Sequence, residues 1–211
     1  MNITSSIKEK IRLYGFGGMM QRVFKSIIYA VFKIKWEKCY LMSITLDTVF
    51  PPPEREDIEV RELKMEDYDN ELWFTYLTEE KKDTLQKRFK TKNAKGYGVF
   101  VDGVLACSAW ISFGIIGYNE DTILFKNNKV ALLFDAYTLP CFRGNCYHNY
   151  LIKWRLNKLK NSKIKKAYTI VYSYNKPSIT NQRKCNYNIE QIFYVFHVGS
   201  KIYINKQFGK K

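Results

Sequence analysis

One stretch constrains the fold of this chain more than any other: residues 130–160, which read VALLFDAYTLPCFRGNCYHNYLIKWRLNKLK. Its first part is nearly continuously apolar, which is typical of a strand buried on both faces. Pro140 ends this strand, Arg143-Gly144 marks a turn, and a helix is predicted from about Cys146. Such a turn can bind phosphate, because the first N–H groups of a helix lack partners inside it and carry partial positive charge.

The residues after this stretch predict a second buried strand, at 167–174. A strand, a helix and a strand at this spacing indicate a right-handed crossover that joins two parallel strands. Asn175 and Pro177 then open another helix, since proline is tolerated at a helix start. Residues 193–208 are predicted to close the chain as a hairpin around Gly199-Ser200.

The residues before this stretch predict a strand at 58–63 and a charged, mostly helical segment at 67–92, as one helix or two. A hairpin is predicted at 96–113, because Asp102-Gly103 between two apolar runs is a strong two-residue turn signal. Residues 114–128 are interpreted as a loop or short excursion, with Asn127-Asn128 as a turn. The fold class predicted from this order is α/β, with a mixed sheet.

An N-terminal extension is predicted at 1–53, ahead of a main domain at 54–211. It contains a short helix at 5–14, a second helix, a strand at 39–46 and a proline spacer at 51–53. The second helix has an apolar stripe at helical spacing, made of Met20, Val23, Phe24, Ile27, Ile28, Val31 and Phe32. This helix packs on the main domain or a partner, or residues 19–35 rest on an anionic membrane.

The formal net charge of +15 favours anionic partners, which include nucleic acid, anionic lipid and phosphorylated small molecules. Charge does not choose among them, and nucleic acid is the less favoured. No apolar run approaches the roughly 20 residues that span a bilayer. Charged residues stand where a signal peptide needs its apolar segment. A cytoplasmic protein is therefore expected, with peripheral membrane association as an option.

The five cysteines favour neither a disulfide framework nor a zinc site. Their number is odd, and no C-x-x-C pair occurs among them. Cys141, Cys146 and His148 are close in sequence, but no fourth ligand lies nearby. No metal is therefore predicted.

The element order from 58 to 208, with Arg143-Gly144 at the turn, resembles the GNAT superfamily of acyl-CoA-dependent N-acetyltransferases. The turn of that family follows R/Q-x-x-G-x-G/A, and Arg143 occupies its first position here. Cys146 and His148 stand where the family has glycine, and glycine or alanine.

A second segment is also similar to the family, whose pattern there is N-x-x-S followed by K-x-G-F. Asn175 and Ser178 match its first part, and Lys184 to Tyr187 match its second part. Asn186 replaces the glycine, which a left-handed conformation tolerates.

The resemblance implies a three-layer fold with a central mixed, mainly antiparallel sheet, and acetyl-CoA as acyl donor. Backbone N–H groups of the turn would hold the pyrophosphate; these belong to Arg143, Gly144, Asn145, Cys146, Tyr147 and His148. The strand end, Tyr137, Thr138 and Leu139, would pair with the pantetheine arm and polarise the thioester carbonyl. Asn175 and Ser178 would complete the cofactor contacts.

Asp135 is the first candidate for the catalytic base, with Tyr137 beside it. An acid in an apolar strand is unusual, and burial is expected to raise its pKa towards neutrality. Alternatively, Asp135 orients a neighbouring group.

The leaving-group acid of the family, a tyrosine, aligns with Gln182. CoA therefore leaves as thiolate, or Tyr174 or Tyr187 serves as the acid, or the chain is inactive.

The sequence therefore predicts acetyl transfer from acetyl-CoA to a primary amine on a small anionic acceptor such as an amino sugar. Two alternatives stay open. One is a degenerate GNAT-like binding module, and the other is a basic protein that binds a membrane surface or nucleic acid.

Overall fold

A computed structural model of the chain describes residues 34–49 and 51–205, together with Met20, Val23, Phe24, Ile27 and Val31. The described residues between 34 and 205 form eight strands and three α-helices, and the strands form a mixed sheet. Strand β5 pairs with β6 in parallel, whereas the pairs β1·β7, β2·β3, β3·β4, β4·β5 and β7·β8 are antiparallel. The predicted α/β class with a mixed, mainly antiparallel sheet is confirmed.

The chain divides into two compact units. The central unit comprises residues 44–169, and the flanking unit comprises residues 1–43 and 170–211. The predicted boundary at residue 53 stays a prediction. The strand expected within the extension is β1, Ile34–Thr45, which pairs with β7, Asn188–Val198.

The central unit has the strand order β2-β3-β4-β5-β6. The bounds of these strands are β2 Glu59–Glu62, β3 Ala94–Val101, β4 Val104–Gly117, β5 Ile123–Thr138 and β6 Lys166–Tyr172, whose first residues belong to this unit. Asp102 and Gly103 connect β3 to β4 with φ angles of 49° and 76°. Two positive φ angles are the signature of a type I′ turn, so the predicted hairpin is confirmed.

The predicted loop at 114–128 is wrong. Strand β4 continues to Gly117, β5 already begins at Ile123, and the ladder pairs Ile115 with Lys126. Asn127-Asn128 resembled a turn because asparagine bonds its own backbone, and Asn127 Oδ1 indeed accepts from the N–H of Lys129 at 2.8 Å. This local bond lies within a bulged strand.

Helix α1, Glu79–Lys90, carries its charges in the favourable order. Thr78 Oγ1 caps it by accepting from Lys81 N, acids occupy its first turn, and bases occupy its last. It is preceded by two 3₁₀ turns, Met65–Tyr68 and Glu71–Trp73. Only part of the segment predicted as mostly helical is therefore α-helix.

The core of the central unit lies where α1 and these turns cover the sheet. Trp73 is fully buried, and its indole Nε1 donates to the Leu105 carbonyl at 2.8 Å. The other buried members of this core are Leu63, Tyr68, Leu77, Leu85, Phe100, Leu105, Trp110 and Leu139. Helix α2, Tyr147–Lys160, also contacts the sheet: Arg155 is buried and donates to the Trp110 carbonyl at 2.8 Å.

The flanking unit consists of β1, β7 and β8 (Lys201–Ile204), with helix α3 at Lys176–Lys184. The hairpin predicted around Gly199-Ser200 is confirmed. The strands expose large apolar side chains, namely Ile34, Ile189, Ile192, Tyr194, Phe196, Val198 and Tyr203.

The predicted apolar stripe near the N-terminus is described at five of its positions. Met20, Val23, Phe24, Ile27 and Val31 are helical and exposed. The other stripe positions and the helix predicted at 5–14 lie outside the described residues. Within the described part of the chain, no helix combines the length and apolar character needed to cross a membrane.

Candidate functional site

The loop from β5 to α2 has the left-handed backbone that a phosphate-binding turn requires. Pro140–Phe142 forms a 3₁₀ turn, after which Gly144 has φ 98° and Cys146 has φ 61°. A Cβ added to Gly144 would meet nothing within 4 Å, so this part of the loop is open. Cys146 adopts a conformation that costs a side chain roughly 1–2 kcal/mol.

The start of α2 fits an anionic group. Cys146 is its N-cap and makes no side-chain capping bond, and the first turn contains no acid. The helix's own bonds begin with Tyr150 N, which donates to the Cys146 carbonyl at 2.9 Å. The N–H groups of the first turn therefore point out of the helix end, where the dipole is positive. A diphosphate fits this donor set.

Not every predicted amide is available for that purpose. Arg143 N donates to the Pro140 carbonyl at 3.3 Å, within the 3₁₀ turn. Its side chain instead lies beside the strand end, with Nε 3.3 Å from the Thr138 carbonyl and the guanidinium 5.8 Å from the Tyr137 ring centroid. Asn145 Nδ2 donates to the Phe142 carbonyl at 3.3 Å, which tightens the loop.

Strand β5 has a backbone edge beyond its pairing with β6. The parallel ladder covers Val130, Ala131 and Leu132, whereas β5 continues to Thr138. Among the described residues, β6 therefore forms no ladder pair with the last part of β5. An extended ligand can pair with a strand edge of this kind.

The three predicted strand-end residues differ in their surroundings. Tyr137 stacks on Tyr76 with ring centroids 4.1 Å apart, and Thr138 Oγ1 donates to Cys107 Sγ at 3.2 Å. Leu139 is fully buried, and its N–H donates to the Ala106 carbonyl at 3.0 Å. The Leu139 N–H therefore already has an acceptor within the protein, and the oxyanion role of the strand end stays a prediction.

Asp135 lies in a β-bulge, with φ 48°. Its carboxylate accepts from Tyr76 OH at 3.1 Å, and from Lys81 Nζ and Arg88 Nη1, both on α1. Arg88 also donates to Glu120. The sequence did not identify Tyr76, Lys81 or Arg88 as partners of Asp135. Its one relevant signal was an acid within an apolar strand, which suggests a partner without saying which residue it is.

The pKa of Asp135 moves in the opposite direction from the expectation. Burial acts to raise it, but the charges and hydrogen bonds of Lys81 and Arg88 outweigh burial and leave the pKa lowered. The predicted raised pKa is therefore wrong. A carboxylate held ionised by two cations is a weak proton acceptor near neutral pH, so the base assignment loses its physical basis.

Tyr147 and His148 turn their side chains towards the protein. Tyr147 is buried, with the Arg55 guanidinium 4.9 Å from its ring centroid. Burial, together with the nearby charge of Arg155, lowers the pKa of His148 to about 4. His148 is partly exposed as a residue, whereas its Nε2 is fully buried. At neutral pH it therefore brings no positive charge to the loop.

The second predicted segment lies in the flanking unit. Asn175 caps α3, since its Oδ1 accepts from Ser178 N at 3.2 Å. Asn186 has φ 63°, which confirms the left-handed conformation expected there. Gln182, which the resemblance aligns with a tyrosine, is buried, and its Oε1 accepts no hydrogen bond from the described residues. Tyr187 is buried, and Tyr174 OH donates to Glu37 at 3.4 Å.

The structure adds Arg55, which the sequence did not single out, to the surroundings of the loop. Its Nη1 donates to the Asn145 carbonyl at 3.0 Å. Cys141 and Cys146 are exposed free thiols. Within the described residues, no group of three or more His, Cys, Asp or Glu side chains is arranged to hold a metal ion.

No protein-family model matches the chain, and no curated protein matches it in sequence. Solved structures match its fold. A Drosophila protein superposes with a TM-score of 0.55 at 16% identity, over 87% of this chain and 59% of that one. A GNAT-family protein from Novosphingobium aromaticivorans superposes with a TM-score of 0.51 at 15% identity, over 77% of this chain and 64% of that one. A tandem GNAT protein from the clavulanic acid biosynthesis pathway superposes with a TM-score of 0.55 at 16% identity, over 81% of this chain and 56% of that one.

The chain has the GNAT fold. It spans less than two thirds of the length of each of these three proteins. In this GNAT fold, the segment resembling R-x-x-G-x-G/A is the β5–α2 loop, and Cys146 takes the left-handed conformation where the family has glycine. Cys146 thus adopts, with φ 61°, a conformation that glycine tolerates more easily than a residue with a side chain.

Proposed function

We propose that the chain is an N-acetyltransferase that transfers an acetyl group from acetyl-CoA to a primary amine. One observation carries the proposal: the open, left-handed loop at Gly144 and Cys146 leads into an uncapped, acid-free helix start. The last part of β5, which pairs with β4 but has no described ladder pair with β6, lies directly before this loop in the chain. A diphosphate followed by an extended pantetheine arm requires these two kinds of donor.

In this proposal, acetyl-CoA is bound mainly by backbone groups. The amides from Gly144 to His148 hold the diphosphate, and the Arg143 side chain supplies positive charge beside the strand end. Tyr137 and Thr138 line the thioester, and backbone N–H groups of the β5 edge stabilise the oxyanion. The amine nitrogen bonds the acetyl carbon, the C–S bond breaks, CoA leaves as the thiolate, and the amine proton passes to solvent.

Asp135 takes a positioning role in this scheme. It holds α1 against the β5 bulge through Lys81 and Arg88, and it orients the Tyr76 hydroxyl. Tyr76 stacks on Tyr137, so the ion pairs also support the strand end. This corresponds to the alternative in which Asp135 orients its neighbours.

The acceptor we propose is a small anionic amine such as an amino sugar that carries phosphate. The net charge of +15 and the basic last turn of α1 support this choice. The test is release of CoA thiol from acetyl-CoA with a panel of amines, each with and without a phosphate group. Turnover restricted to uncharged amines would overturn the acceptor class, and turnover with none of the amines would favour the binding module.

A degenerate, CoA-binding module is the second candidate, and Gln182 favours it. An amide cannot give a proton to a leaving thiolate, and Gln182 stands at the family's tyrosine position. Replacing Gln182 with Tyr separates the candidates. An increased rate of CoA release identifies an enzyme limited by its leaving group, whereas binding without turnover in both variants identifies the module.

Membrane association is proposed as an additional property, supported by the exposed stripe at Met20, Val23, Phe24, Ile27 and Val31. Deleting the predicted extension would also remove β1, which pairs with β7, so substitution is the sharper test. Phe24→Glu and Ile27→Glu should abolish sedimentation with vesicles containing phosphatidylserine. Unchanged sedimentation would show that this stripe is not the anchor.

A further inference from the structure

Arg55 contacts the loop from a distant part of the sequence. Its Nη1 donates to the backbone carbonyl of Asn145 at 3.0 Å, and its guanidinium lies 4.9 Å from the Tyr147 ring centroid. Nε and Nη2 bind the two oxygens of Asp57. The bidentate pair and the ring hold the guanidinium in one orientation, with Nη1 directed at the loop.

The contact determines the direction of a particular amide. The peptide bond between Asn145 and Cys146 is planar and trans, so its C=O and N–H point in opposite directions. A bond that holds the Asn145 carbonyl towards Arg55 therefore turns the Cys146 N–H away from Arg55. Cys146 also has φ 61°, a conformation unfavourable for a residue with a side chain. The loop needs an external contact to keep it.

We infer that Arg55 is a positioning residue of the anion-binding loop, which orients the Cys146 amide towards the diphosphate of CoA. The inference rests on the proposed function. It also explains how the turn keeps a conformation that can bind a diphosphate although cysteine stands where the family has glycine. Glycine adopts a left-handed conformation without steric cost, whereas the contact with Arg55 holds Cys146 in it.

Arg61 provides a matched control for Arg55. It too forms a bidentate pair with an aspartate, Asp67, and its guanidinium lies 3.8 Å from an aromatic ring centroid, that of Phe100. It makes no described contact with the loop. Any general cost of losing a paired, ring-stacked arginine therefore appears in both variants, whereas the loss of loop orientation appears only at Arg55.

The test measures the Kd of acetyl-CoA by calorimetry for the wild type, Arg55→Ala, Arg61→Ala, Cys146→Gly and the double variant Arg55→Ala/Cys146→Gly. We expect Arg55→Ala to bind about tenfold more weakly and Arg61→Ala to stay within about twofold of the wild type. In the glycine background, Arg55→Ala should cost no more than about twofold. Thermal unfolding of each variant shows that the folded protein was measured.

The possible outcomes distinguish a failure of the inference about Arg55 from a failure of the proposed function. Absence of binding by the wild type would overturn the proposed function. If the wild type binds and Arg55→Ala binds equally well, the inference fails while the function stands. If the double variant is as weak as Arg55→Ala, then Arg55 acts on the phosphate directly, and its positioning role is overturned.

Discussion

Arg88 and Asp135, 47 positions apart in the sequence, form an ion pair that joins α1 to the bulge of β5. Lys81 donates to the same carboxylate oxygen, and Tyr76 donates to the other one. The carboxylate is thus held at the place where β5 leaves its regular pairing with β4. Its main effect is to fix the strand end that leads into the loop.

Asp135→Asn should destabilise the protein by about 2–3 kcal/mol, because it leaves two part-buried cations without their shared partner. Glu79→Gln is the control, since Glu79 forms an exposed pair with Lys82 and its loss should change stability by less than about 1 kcal/mol. Urea denaturation of both variants measures the difference. Equal losses of stability in the two variants would show that the Asp135 cluster contributes no more than an exposed ion pair.

Asp135→Asn should leave the shape of the pH–rate profile unchanged between pH 5 and 9. The lowered pKa keeps Asp135 ionised across this range, so no proton transfer by its carboxylate limits the rate. The measurement is kcat/KM for an amine that gives turnover, in the wild type and the variant. Loss of an acidic limb in the variant would restore Asp135 as the base.

The fold was predictable where its signals are local. The hairpin at Asp102-Gly103 needs two positive φ angles, and the residues that tolerate them are adjacent in the sequence. The parallel pair of β5 and β6 follows from two apolar runs separated by a helix. The first half of β5 was missed because its polar residues, including Asn127 and Asn128, carry no apolar alternation.

The site was predictable as a backbone path but not as a set of side-chain contacts. Arg143-Gly144 located the loop, since glycine after a buried strand is a local signal. Arg55 lies 90 positions from Asn145, and Lys81 lies 54 positions from Asp135. Only tertiary packing brings such residues together, so the direction of the Asp135 pKa shift could not be obtained from composition.

His148 should make the protein less stable in mild acid. Below pH 6.5 the unfolded chain binds a proton that folded His148 does not bind until about pH 4. The free energy of unfolding should therefore fall by on the order of 3 kcal/mol over this window. His148→Asn should remove most of that loss, as measured by urea denaturation at several pH values.

His197→Asn is the control for this prediction. Burial and the charge of Lys35 also lower the pKa of His197, but without the large shift found for His148. Most of the pH dependence should remain in this variant. Asp57, Asp67 and Asp135 also have lowered pKa values, so they stabilise the fold above pH 3.8 and lose their effect only below it. If the free energy of unfolding depends on pH as steeply in His148→Asn as in the wild type, the burial of the His148 imidazole is contradicted.

The central claim is that the loop at Gly144 binds the diphosphate of CoA, and calorimetry of Gly144→Ala against Gly103→Ala tests it most directly. Both glycines have positive φ, and a Cβ at either would meet nothing within 4 Å, so both variants carry a similar backbone strain of roughly 1–2 kcal/mol. Gly103 lies in the β3–β4 turn. We predict that the wild type and Gly103→Ala bind acetyl-CoA alike, and that Gly144→Ala binds about tenfold more weakly. Equal affinity of the two variants, or no binding by the wild type at millimolar acetyl-CoA, would contradict the account.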